Sequence, residues 1–427
     1  MELGYSEHML ILGRHDRSAI QKQDGNLLEV TNPLQKPILE ASNLQNSSTE
    51  SPRGTPRMDV QAGTNIVIGG GIIGAQIAWH LAQESNVTII AEKIGGVATP
   101  NSFAWINAGG PDDPTYYDFR NRSMQHWREM TEQIPNLPIS WSGALSWSAT
   151  ENETAASQEE YLEAGTDIVR VSNSELAGIE PELKEDFFPE WDYGLHVKDE
   201  GSVEAHVAAA LLISEAESMG AKVLTTSVSG FVKEDGRVTG VTTDNGTIHG
   251  DHVVLAAGLG SVPLLAAENI RLPLEGREGL LANTLPVDKQ FLNTLFHGSG
   301  LNMRQTLEGR ILAGESFAGS DAGVDAEKKA REIIGKVQEA FKGGDDIEYG
   351  YYTLGVRPDP EDGLPILGDT PLEGLDIAVM HSGVTNGAIV GKLIAEKVLT
   401  GKSDPILDYF RLDRFNSNGT QTNSTSH

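Results

Sequence analysis

The stretch Ile66-Val67-Ile68-Gly69-Gly70-Gly71-Ile72-Ile73-Gly74 decides the fold, because an apolar strand leads directly into a Gly-x-Gly-x-x-Gly turn. The helical pattern of Ala75 to Ala82 follows this turn. In such a turn Gly69 lets the chain bend tightly, Gly71 lets the backbone approach a pyrophosphate, and Gly74 lets the helix pack against the strand. The free amide groups at the helix N-terminus then face the phosphates. The stretch therefore predicts a dinucleotide site near the start of an α/β fold.

A second apolar strand, Asn86 to Ala91, follows the helix and is succeeded by Glu92. This carboxylate lies 18 residues after Gly74, about where a ribose-binding acid belongs in a dinucleotide fold. A glycine-rich turn without any ligand is the alternative interpretation. The preceding strand, the following helix and the acid after the second strand together favour the dinucleotide site.

The composition is that of an ordinary globular chain with room for two or three domains: 427 residues, 39% hydrophobic and 22% charged. The formal net charge of −29 disfavours binding to nucleic acid and to anionic membranes. This charge would attract a cationic amine substrate, and the alternative is that it serves solubility or a salty habitat. The sequence has no cysteine, which excludes disulfides, thiolate metal ligands and catalytic thiols.

The two ends of the chain differ from the rest. Residues 1–60 include Ala41 to Arg57, a stretch crowded with Ser, Thr, Pro and Asn that has neither helical nor strand periodicity. We predict a disordered extension over 1–60, with Met58 as an alternative biological start, and a disordered tail over 416–427. The apolar runs are too short or too interrupted to span a bilayer, and the first residues lack the order of a secretory signal. We therefore expect a cytoplasmic protein without a membrane span.

Three separated blocks between these ends carry the pattern of a nucleotide-binding fold. These blocks are 61–110, 201–261 and 351–415. The second block contains short strands that Gly236 and Gly246 punctuate as hairpin turns. The intervening segments, 111–200 and 262–350, lack this pattern and are richer in aromatic and polar residues. We expect a discontinuous Rossmann-like domain, with a doubly wound, mostly parallel sheet and a β-meander, interrupted by an α+β substrate domain with a mixed or antiparallel sheet.

Five ordered blocks make the chain similar to a known family. They are Gly69 to Gly74, Gly95 to Gly109, Val253 to Gly258, Gly355 to Pro358 with Asp362 to Gly368, and His381 to Gly387. On these blocks the chain resembles the D-amino acid oxidase (DAO) superfamily of flavoproteins, which includes glycine oxidase, sarcosine oxidase and D-amino acid dehydrogenase. The resemblance covers about residues 64 to 415 and implies FAD as the cofactor. Without a cysteine we expect non-covalent FAD, and a histidyl link is the alternative.

The resemblance and the residues together give a set of expected cofactor contacts, and no metal ligands. The set is Gly69, Gly71, Ile72, Ile73, Gly74, Glu92, Lys93, Thr99, Ser102, Val228, Ala257, Gly258, Arg357, Gly383, Val384, Thr385 and Asn386. Thr99 and Ser102 are hydroxyl donors for the pyrophosphate, or else members of an ordinary Ser/Thr turn. The resemblance places Val228 at the adenine, where it offers its main chain and an apolar wall.

The pattern after His381 predicts a helix with Thr385 as its N-cap residue. In the family such a helix directs its N-terminus at the pyrimidine edge of the flavin. The positive end of the helix dipole would stabilise the negative charge of the reduced cofactor there. A plain helix packed on the sheet is the alternative, because its capping signal is identical.

Arg357 is the most informative single side chain. It matches the position at which amino acid oxidases of this family hold the substrate carboxylate, and its planar fork suits that group. The alternative is a structural ion pair with Asp359, Glu361 or Asp362, all close in sequence. Glycine oxidase carries a second arginine in the block that here reads His381 to Gly387, and this sequence has none there.

Three further side chains fall where relatives line the substrate side. Tyr351 and His381 join Arg357 as expected catalytic residues, Tyr351 as a hydrogen-bond donor and His381 as a base or a flavin contact. Arg277 could assist binding. A core, exposed or merely hydrogen-bonded role is the alternative for each.

The resemblance implies an enzyme that oxidises a small amine or amino acid. A hydride leaves the C–H next to the nitrogen for flavin N5, and the resulting imine is hydrolysed. The electron acceptor is O2 or an unknown compound. Two alternatives stay open: FAD-dependent oxidation of a non-amine substrate, such as a 2-hydroxy acid or a ring in biosynthesis, and a non-catalytic flavin-fold binding protein like the GDP-dissociation inhibitors.

Overall fold

The computed structural model describes residues 20–23, 26–29, 63–109, 113–298, 300–316, 323 and 325–416. Its strands are β1 Ile20–Gln23, β2 Asn26–Glu29, β3 Thr64–Ile68, β4 Asn86–Ile90, β5 Trp105–Ile106, β6 Ile139–Ser140, β7 Ala144–Trp147, β8 Ile168–Ser172, β9 Tyr193–Val197, β10 Gly201–Val203, β11 Lys222–Leu224, β12 Val228–Glu234, β13 Arg237–Thr243, β14 Gly246–His249, β15 His252–Leu255, β16 Leu274–Thr284, β17 Leu295–Gly298, β18 Leu301–Gln305, β19 Ile311–Gly314, β20 Tyr349–Pro360, β21 Ile366–Asp369 and β22 Leu375–Val379.

The α-helices are α1 Ile72–Ala82, α2 Pro114–Gln133, α3 Glu151–Glu163, α4 Asn173–Ile179, α5 Ala205–Ser218, α6 Ser261–Ala266, α7 Ala326–Ala340, α8 Gly383–Thr400 and α9 Ile406–Tyr409. Short 3-10 helices cover Thr99–Asn101, Glu185–Phe187, Gly258–Gly260, Gly344–Asp346 and Leu412–Asn416. Among the described residues, every helix falls short of the length and apolarity that a membrane span requires.

The chain divides into two compact units, Met1–Asp59 and Val60–His427. In the first unit β1 and β2 pair as an antiparallel hairpin, which the prediction of a disordered extension did not include. Residues 41–57, on which that prediction was based, lie outside the described residues. The predicted tail lies outside them as well, apart from Asn416, where the last 3-10 helix ends.

A six-stranded sheet in the order β11-β4-β3-β15-β22-β21 forms the centre of the second unit. All neighbours are parallel except β21, which runs antiparallel to β22. The middle strand β3 is almost wholly buried, with Ile68 level with Ile90 on one side and Leu255 on the other. Because continuous apolar strands suit a sheet covered on both faces, this sheet confirms the predicted α/β fold.

The predicted β-meander is the antiparallel sheet β12-β13-β14. Its first turn carries Asp235 and Gly236, both with positive φ, and its second carries Gly246 at φ +108°. Positive φ is costly for residues other than glycine, so the glycines fix these turns. The hairpin prediction from Gly236 and Gly246 is confirmed.

The second large sheet is mixed and has eight strands, in the order β20-β16-β19-β18-β17-β7-β9-β8. Only β17 and β7 are parallel neighbours within it. Helix α7 covers one face with the buried side chains Ile333, Ile334 and Val337. A mixed sheet of this kind is what the sequence predicted for the inserted segments.

The predicted domain bounds and the sheets do not coincide everywhere. Strand β20 lies in the eight-stranded sheet, although 351–415 was assigned to the nucleotide-binding domain. Conversely, Phe119 and Trp127 of α2 share one core with α1 and α8. Asp113 starts this helix by accepting hydrogen bonds from two first-turn amides, and Pro114 follows it at the first helical position. The division into domains stays a prediction.

Candidate active site

The predicted site residues gather at the edge where the parallel strands end. Gly69 follows β3, Glu92 lies just beyond β4, Ala256 follows β15 and His381 lies just beyond β22. The carboxyl ends of parallel strands are where open α/β sheets bind ligands. This edge is therefore the candidate active site.

The fingerprint glycines leave no room for a side chain. Gly69 has φ +122°, and a β-carbon on it would lie 2.3 Å from the carbonyl oxygen of Ala256. A β-carbon on Gly74 would lie 2.0 Å from the carbonyl oxygen of Gly69. One on Gly71 would lie 3.2 Å from Thr99 Oγ1, which is closer than ordinary contact. The turn thus brings α1, β3 and the end of β15 together through backbone atoms alone.

The two predicted hydroxyl residues have different local partners. The backbone N–H of Ile72 donates to Thr99 Oγ1 over 3.1 Å, so the buried Thr99 sits at the N-terminus of α1. Ser102 Oγ accepts a hydrogen bond from the N–H of Ala104 over 3.0 Å. Ser102 therefore belongs to the kind of Ser/Thr turn named as its alternative. A contact from either hydroxyl to a pyrophosphate stays a prediction.

The expected adenosine end brings β4 and β12 together. Ser227 Oγ donates to Glu92 Oε1 over 2.8 Å, and Ser227 directly precedes the half-buried Val228. Glu92 and its neighbour Lys93 are both exposed at this edge. The carboxylate and the strand predicted to hold the ribose and the adenine are thus neighbours in space.

The segment after β15 connects the nucleotide edge to the eight-stranded sheet. Ala257 precedes the 3-10 helix that begins at Gly258. Gly258 has φ +56°, and its β-carbon position lies 3.5 Å from Pro358 Cγ. The predicted contacts Ala257 and Gly258 therefore lie between the fingerprint turn and the strand that carries Arg357.

The prediction of Thr385 as the N-cap of α8 is wrong. The helix begins at Gly383, and its N-cap is Ser382 in the left-handed conformation, with φ 53° and no side-chain cap. Among the described residues, the first amides of α8 therefore find no side-chain acceptor and are free to bind a ligand. Gly383 lies close to α1, since its β-carbon position is 3.3 Å from Ile73 Cδ1.

Thr385 instead ties the start of α8 to the loop after β5. Its hydroxyl donates to the carbonyl oxygen of Trp105 over 3.1 Å and accepts from the N–H of Asn107 over 3.4 Å. The indole N–H of Trp127 donates to the carbonyl oxygen of Val384 over 3.0 Å. These bonds hold the uncapped helix end in place.

Asn386 carries an unpartnered polar atom at this helix end. Its Nδ2 donates to Tyr116 Oη over 3.0 Å, but its buried Oδ1 has no hydrogen-bond partner among the described residues. A buried polar atom without a partner is unfavourable and needs an explanation such as a bound group. Together with the uncapped N-terminus of α8 and the closed glycine turn at α1, Asn386 fits a bound cofactor that presents phosphate and polar ring atoms.

The three carboxylates that could have neutralised Arg357 pair with other arginines. Asp359 pairs with Arg277 over 2.7 Å, Glu361 with Arg271, and Asp362 with Arg414 over 2.7 Å. The guanidinium of Arg357 makes only long bonds of 3.5 and 3.4 Å to the carbonyl oxygens of Arg277 and Glu278. Within the described residues the predicted structural ion pair of Arg357 is therefore absent.

Arg357 faces the cofactor side of β20. A β-carbon on Gly355, two residues earlier in the strand, would lie 2.8 Å from the carbonyl oxygen of Asn101. Because alternate residues of a strand point to the same face, Arg357 shares the side that packs on the segment around Thr99 and Asn101. The Gly355–Pro358 block thus meets the Gly95–Gly109 block.

His381 lies in the field of this arginine group. Burial and, next, the positive charge of Arg357 lower the pKa of His381, with smaller contributions from Arg120 and Arg277. The carboxylate of Asp359 acts in the opposite direction. His381 Nδ1 also lies 3.1 Å from Ser382 Oγ. The imidazole is therefore neutral at pH 7, so one ring nitrogen keeps a lone pair for a proton.

Tyr351 is not brought to this group. It lies six residues before Arg357 in the same strand, which is about 20 Å at the usual rise of a β-strand. Its ring is 45% exposed and lies 5.6 Å from the guanidinium carbon of Arg310. Spacing along a strand thus separates Tyr351 from Arg357 and His381.

The structure adds two residues that the sequence reasoning missed. Arg120 of α2 contributes to the low pKa of His381. Glu200 is 2% exposed, and burial raises the pKa of its carboxyl to about 8, against weaker opposing effects of Trp105 and Arg120. The pair Asp113-Pro114 was a usable helix-start signal that would have placed Arg120 in the second turn of a helix. No sequence pattern announced the burial of Glu200.

Comparisons with known proteins place this site in a family. The chain is 26% identical over 369 residues to the bifunctional protein ThiO/ThiG of Nostoc sp. (strain PCC 7120), an alignment that covers 82% of this chain and 54% of that protein. It therefore spans about half the length of that relative. It is 26% identical over 376 residues to glycine oxidase of Pseudomonas putida, with 80% of this chain and 96% of that protein covered.

Solved structures share the fold. The crystal structure of L-proline dehydrogenase from P. horikoshii matches with a TM-score of 0.72 at 24% identity, over 83% of this chain and 98% of that one. The family model described as FAD dependent oxidoreductase (DAO) matches residues 65–397, which include the fingerprint, Arg357 and the start of α8. The chain belongs to the DAO family of FAD-dependent oxidoreductases.

Proposed function

We propose that the protein oxidises an amine or amino acid that carries a carboxylate, with FAD as its cofactor. The observation that carries this proposal is Arg357, a guanidinium on the cofactor side of β20. The three carboxylates close to it in sequence, Asp359, Glu361 and Asp362, pair with other arginines. A charged group at a half-buried position needs a partner, and a planar fork fits a carboxylate best. The family and the relative named glycine oxidase agree with this substrate class.

The residues at the strand ends would hold FAD in a definite direction. The N-termini of α1 and α8 would bind its negatively charged parts, and Glu92 with Val228 would bind its adenosine end. When bound, FAD supplies the oxidising power by accepting a hydride from the C–H next to the amine nitrogen.

The protein's own residues then position the substrate and its protons. Arg357 binds the carboxylate and thereby fixes the C–H against the cofactor side of the site. His381 is held neutral by burial and by the positive charge of the arginines, so one of its ring nitrogens has a lone pair that accepts a proton from the substrate ammonium. After losing one proton and one hydride, the substrate ammonium leaves as the protonated imine. Tyr351, about 20 Å away along β20, has no part in this scheme.

One experiment tests the proposal. The purified protein is examined for flavin absorption, precipitated with acid, and mixed without oxygen with amines, amino acids and 2-hydroxy acids. We expect flavin in the acid supernatant, which indicates non-covalent FAD, and bleaching by at least one carboxylate-bearing amine. Bleaching by 2-hydroxy acids alone would favour the non-amine alternative. A colourless protein would favour the non-catalytic alternative, which membership of an oxidoreductase family disfavours. The electron acceptor and the cytoplasmic location stay predictions.

A further inference from the structure

Arg120, Arg170 and Arg357 are exceptions among the arginines that the structure describes, because the others are ion-paired with carboxylates. Arg170 stacks on the exposed side of β8, with its guanidinium carbon 4.3 Å from the Tyr193 ring centroid. The positive charges of the other two both lower the pKa of one group, His381. Two guanidinium groups without an ion pair that act on the same histidine need a common explanation.

Hydrogen bonds hold Arg120 at the cofactor end of α8. Its Nε donates to the carbonyl oxygen of Asn107 over 3.2 Å, and Nη2 donates to Asn107 Oδ1. Asn107 in turn donates its N–H to Thr385, four residues after His381. A β-carbon on Gly109 would lie 2.7 Å from Arg120 Nη1, so this glycine leaves space that the guanidinium fills. Arg120 therefore approaches the site from α2, whereas Arg357 approaches it from β20.

The buried acid Glu200, which interacts with Arg120, does not neutralise its charge. Glu200 interacts with Arg120, but burial raises the pKa of Glu200 to about 8, so its carboxyl is mostly uncharged at pH 7. No other carboxylate in the described part of the chain pairs with Arg120. Asp113, at the start of the same helix, accepts from Tyr409 and from helix amides instead. A site with two uncompensated positive charges suits a ligand with two negative ones.

We propose that the substrate carries two carboxylates, one bound by Arg357 and the other by Arg120. This inference rests on the proposed function, because both use the same site. It also accounts for the missing arginine in the His381–Gly387 block: a second cation reaches the site from α2 instead of from the segment before α8. Arg120 is then the residue that determines specificity between monocarboxylic and dicarboxylic amines.

Binding of inert probes tests the second carboxylate separately from catalysis. Succinate and butyrate have the same number of carbons and differ by one carboxylate, and neither carries an amine. Titration calorimetry on the flavin-containing protein should show succinate binding on the order of ten- to a hundredfold more tightly than butyrate. R120Q should abolish this preference and leave butyrate binding unchanged. R357Q should weaken both ligands. R170Q, the matched unpaired arginine on β8, should change neither.

Equal binding of the two probes by the unaltered protein would overturn the inference. An undiminished preference of R120Q for succinate would also overturn it, because Arg120 would then only hold Asn107 in place. R120K retains the charge without the fork, so if R120Q does not fold, R120K should show an intermediate preference. An R120K preference equal to that of the unaltered protein would count against the fork and against the proposal.

Turnover of a matched amine pair separates the two proposals. N-methylglycine and iminodiacetate share the same secondary amine and differ by one carboxylate. We expect iminodiacetate to bleach the flavin with the higher kcat/KM. R120Q should raise the KM for iminodiacetate by on the order of ten- to a hundredfold more than it changes the KM for N-methylglycine. Bleaching by both amines without a preference would refute the second carboxylate site alone. Succinate binding through Arg120 without bleaching by any amine would refute the proposed function alone.

Discussion

The nucleotide edge and the substrate edge of the candidate active site are built from different atoms. At the nucleotide edge, Gly69 and Gly74 bring main-chain atoms so close that any β-carbon would collide with a carbonyl oxygen. At the substrate edge, Arg357, Arg120 and His381 reach inward as side chains from β20, α2 and the end of β22. The first edge fixes a ligand by shape and by amide dipoles, and the second fixes it by charge.

This difference determines how each edge responds to mutation. A backbone-built edge tolerates no added atom, because the neighbouring carbonyl groups belong to strands that cannot move separately. A charge-built edge keeps its fold when a side chain changes, but it loses affinity or specificity. Four substitutions test this contrast, from the largest expected effect to the smallest.

Gly74→Ala should destabilise the protein by more than about 3 kcal/mol, because its β-carbon would lie 2.0 Å from the carbonyl oxygen of Gly69, where ordinary contact begins at 3.4 Å. Flavin retention should be lost with it. The matched control is Gly335→Ala in α7, where a β-carbon would meet nothing within 4 Å. Helix propensity alone predicts a gain of about 0.5 to 1 kcal/mol at both positions. Thermal unfolding measures both, and similar melting temperatures for the two variants would contradict the backbone-built edge.

Glu200→Gln should stabilise the protein progressively as the pH rises. Burial raises the folded-state pKa of Glu200 from 4.5 to about 8, so its neutral form stabilises the fold fully below pH 4.5. That contribution is lost as the pH rises towards 8. The difference in unfolding free energy between E200Q and the unaltered protein should therefore be about 2 to 4 kcal/mol larger at pH 8 than at pH 5, in favour of E200Q.

Urea unfolding at the two pH values measures this gain. The exposed Glu190→Gln serves as the control and should show none. A pH-independent difference between E200Q and the unaltered protein would mean that Glu200 is ionised in the folded state and neutralises Arg120.

Arg357→Lys should lower kcat/KM for a carboxylate-bearing amine by about ten- to a hundredfold, because lysine keeps the charge and loses the bidentate fork. The rate with the matching amine that lacks a carboxylate should change far less. The flavin-reduction rates under anaerobic conditions give both values. Equal losses on the two substrates would show that Arg357 supports the sheet rather than the substrate.

Glu92→Ala should weaken FAD binding by about 1.5 kcal/mol, the lower end for a hydrogen bond to a charged group, because the carboxylate is exposed. Retention of FAD after dialysis measures the effect. Ser227→Ala removes the hydroxyl that donates to Glu92 and should have a smaller effect. Unchanged retention in E92A would show that Glu92 does not contact the cofactor.

The same contrast explains how far the sequence could predict the structure. The fingerprint and the hairpin turns were predictable, because Gly69, Gly236 and Gly246 adopt positive φ and few other residues do so at low cost. The start of α8 was not, because Ser382 adopts the left-handed conformation without being a glycine and the helix begins two residues before Thr385. A capping signal in a sequence does not show which residue bends the chain.

The substrate edge was only partly predictable for a different reason. Arg357 stood in a recognisable block, but its lack of an ion pair depends on Asp359, Glu361 and Asp362 finding other arginines. Arg120 stood in no motif, and only tertiary packing of α2 against α8 brings it near His381. Charge pairing is a property of three-dimensional neighbours, so no local pattern reveals which charges remain unpaired.

The concentration of arginine at one edge has a kinetic consequence. The chain as a whole carries a net charge of −29, so an approaching anion is repelled until it comes within about one Debye length, roughly 8 to 10 Å, of the guanidinium groups. Added salt screens that long-range repulsion more than it weakens the contact inside the half-buried site. Association of an anionic substrate should therefore accelerate with moderate ionic strength, the reverse of the behaviour of proteins that steer their ligands by overall charge.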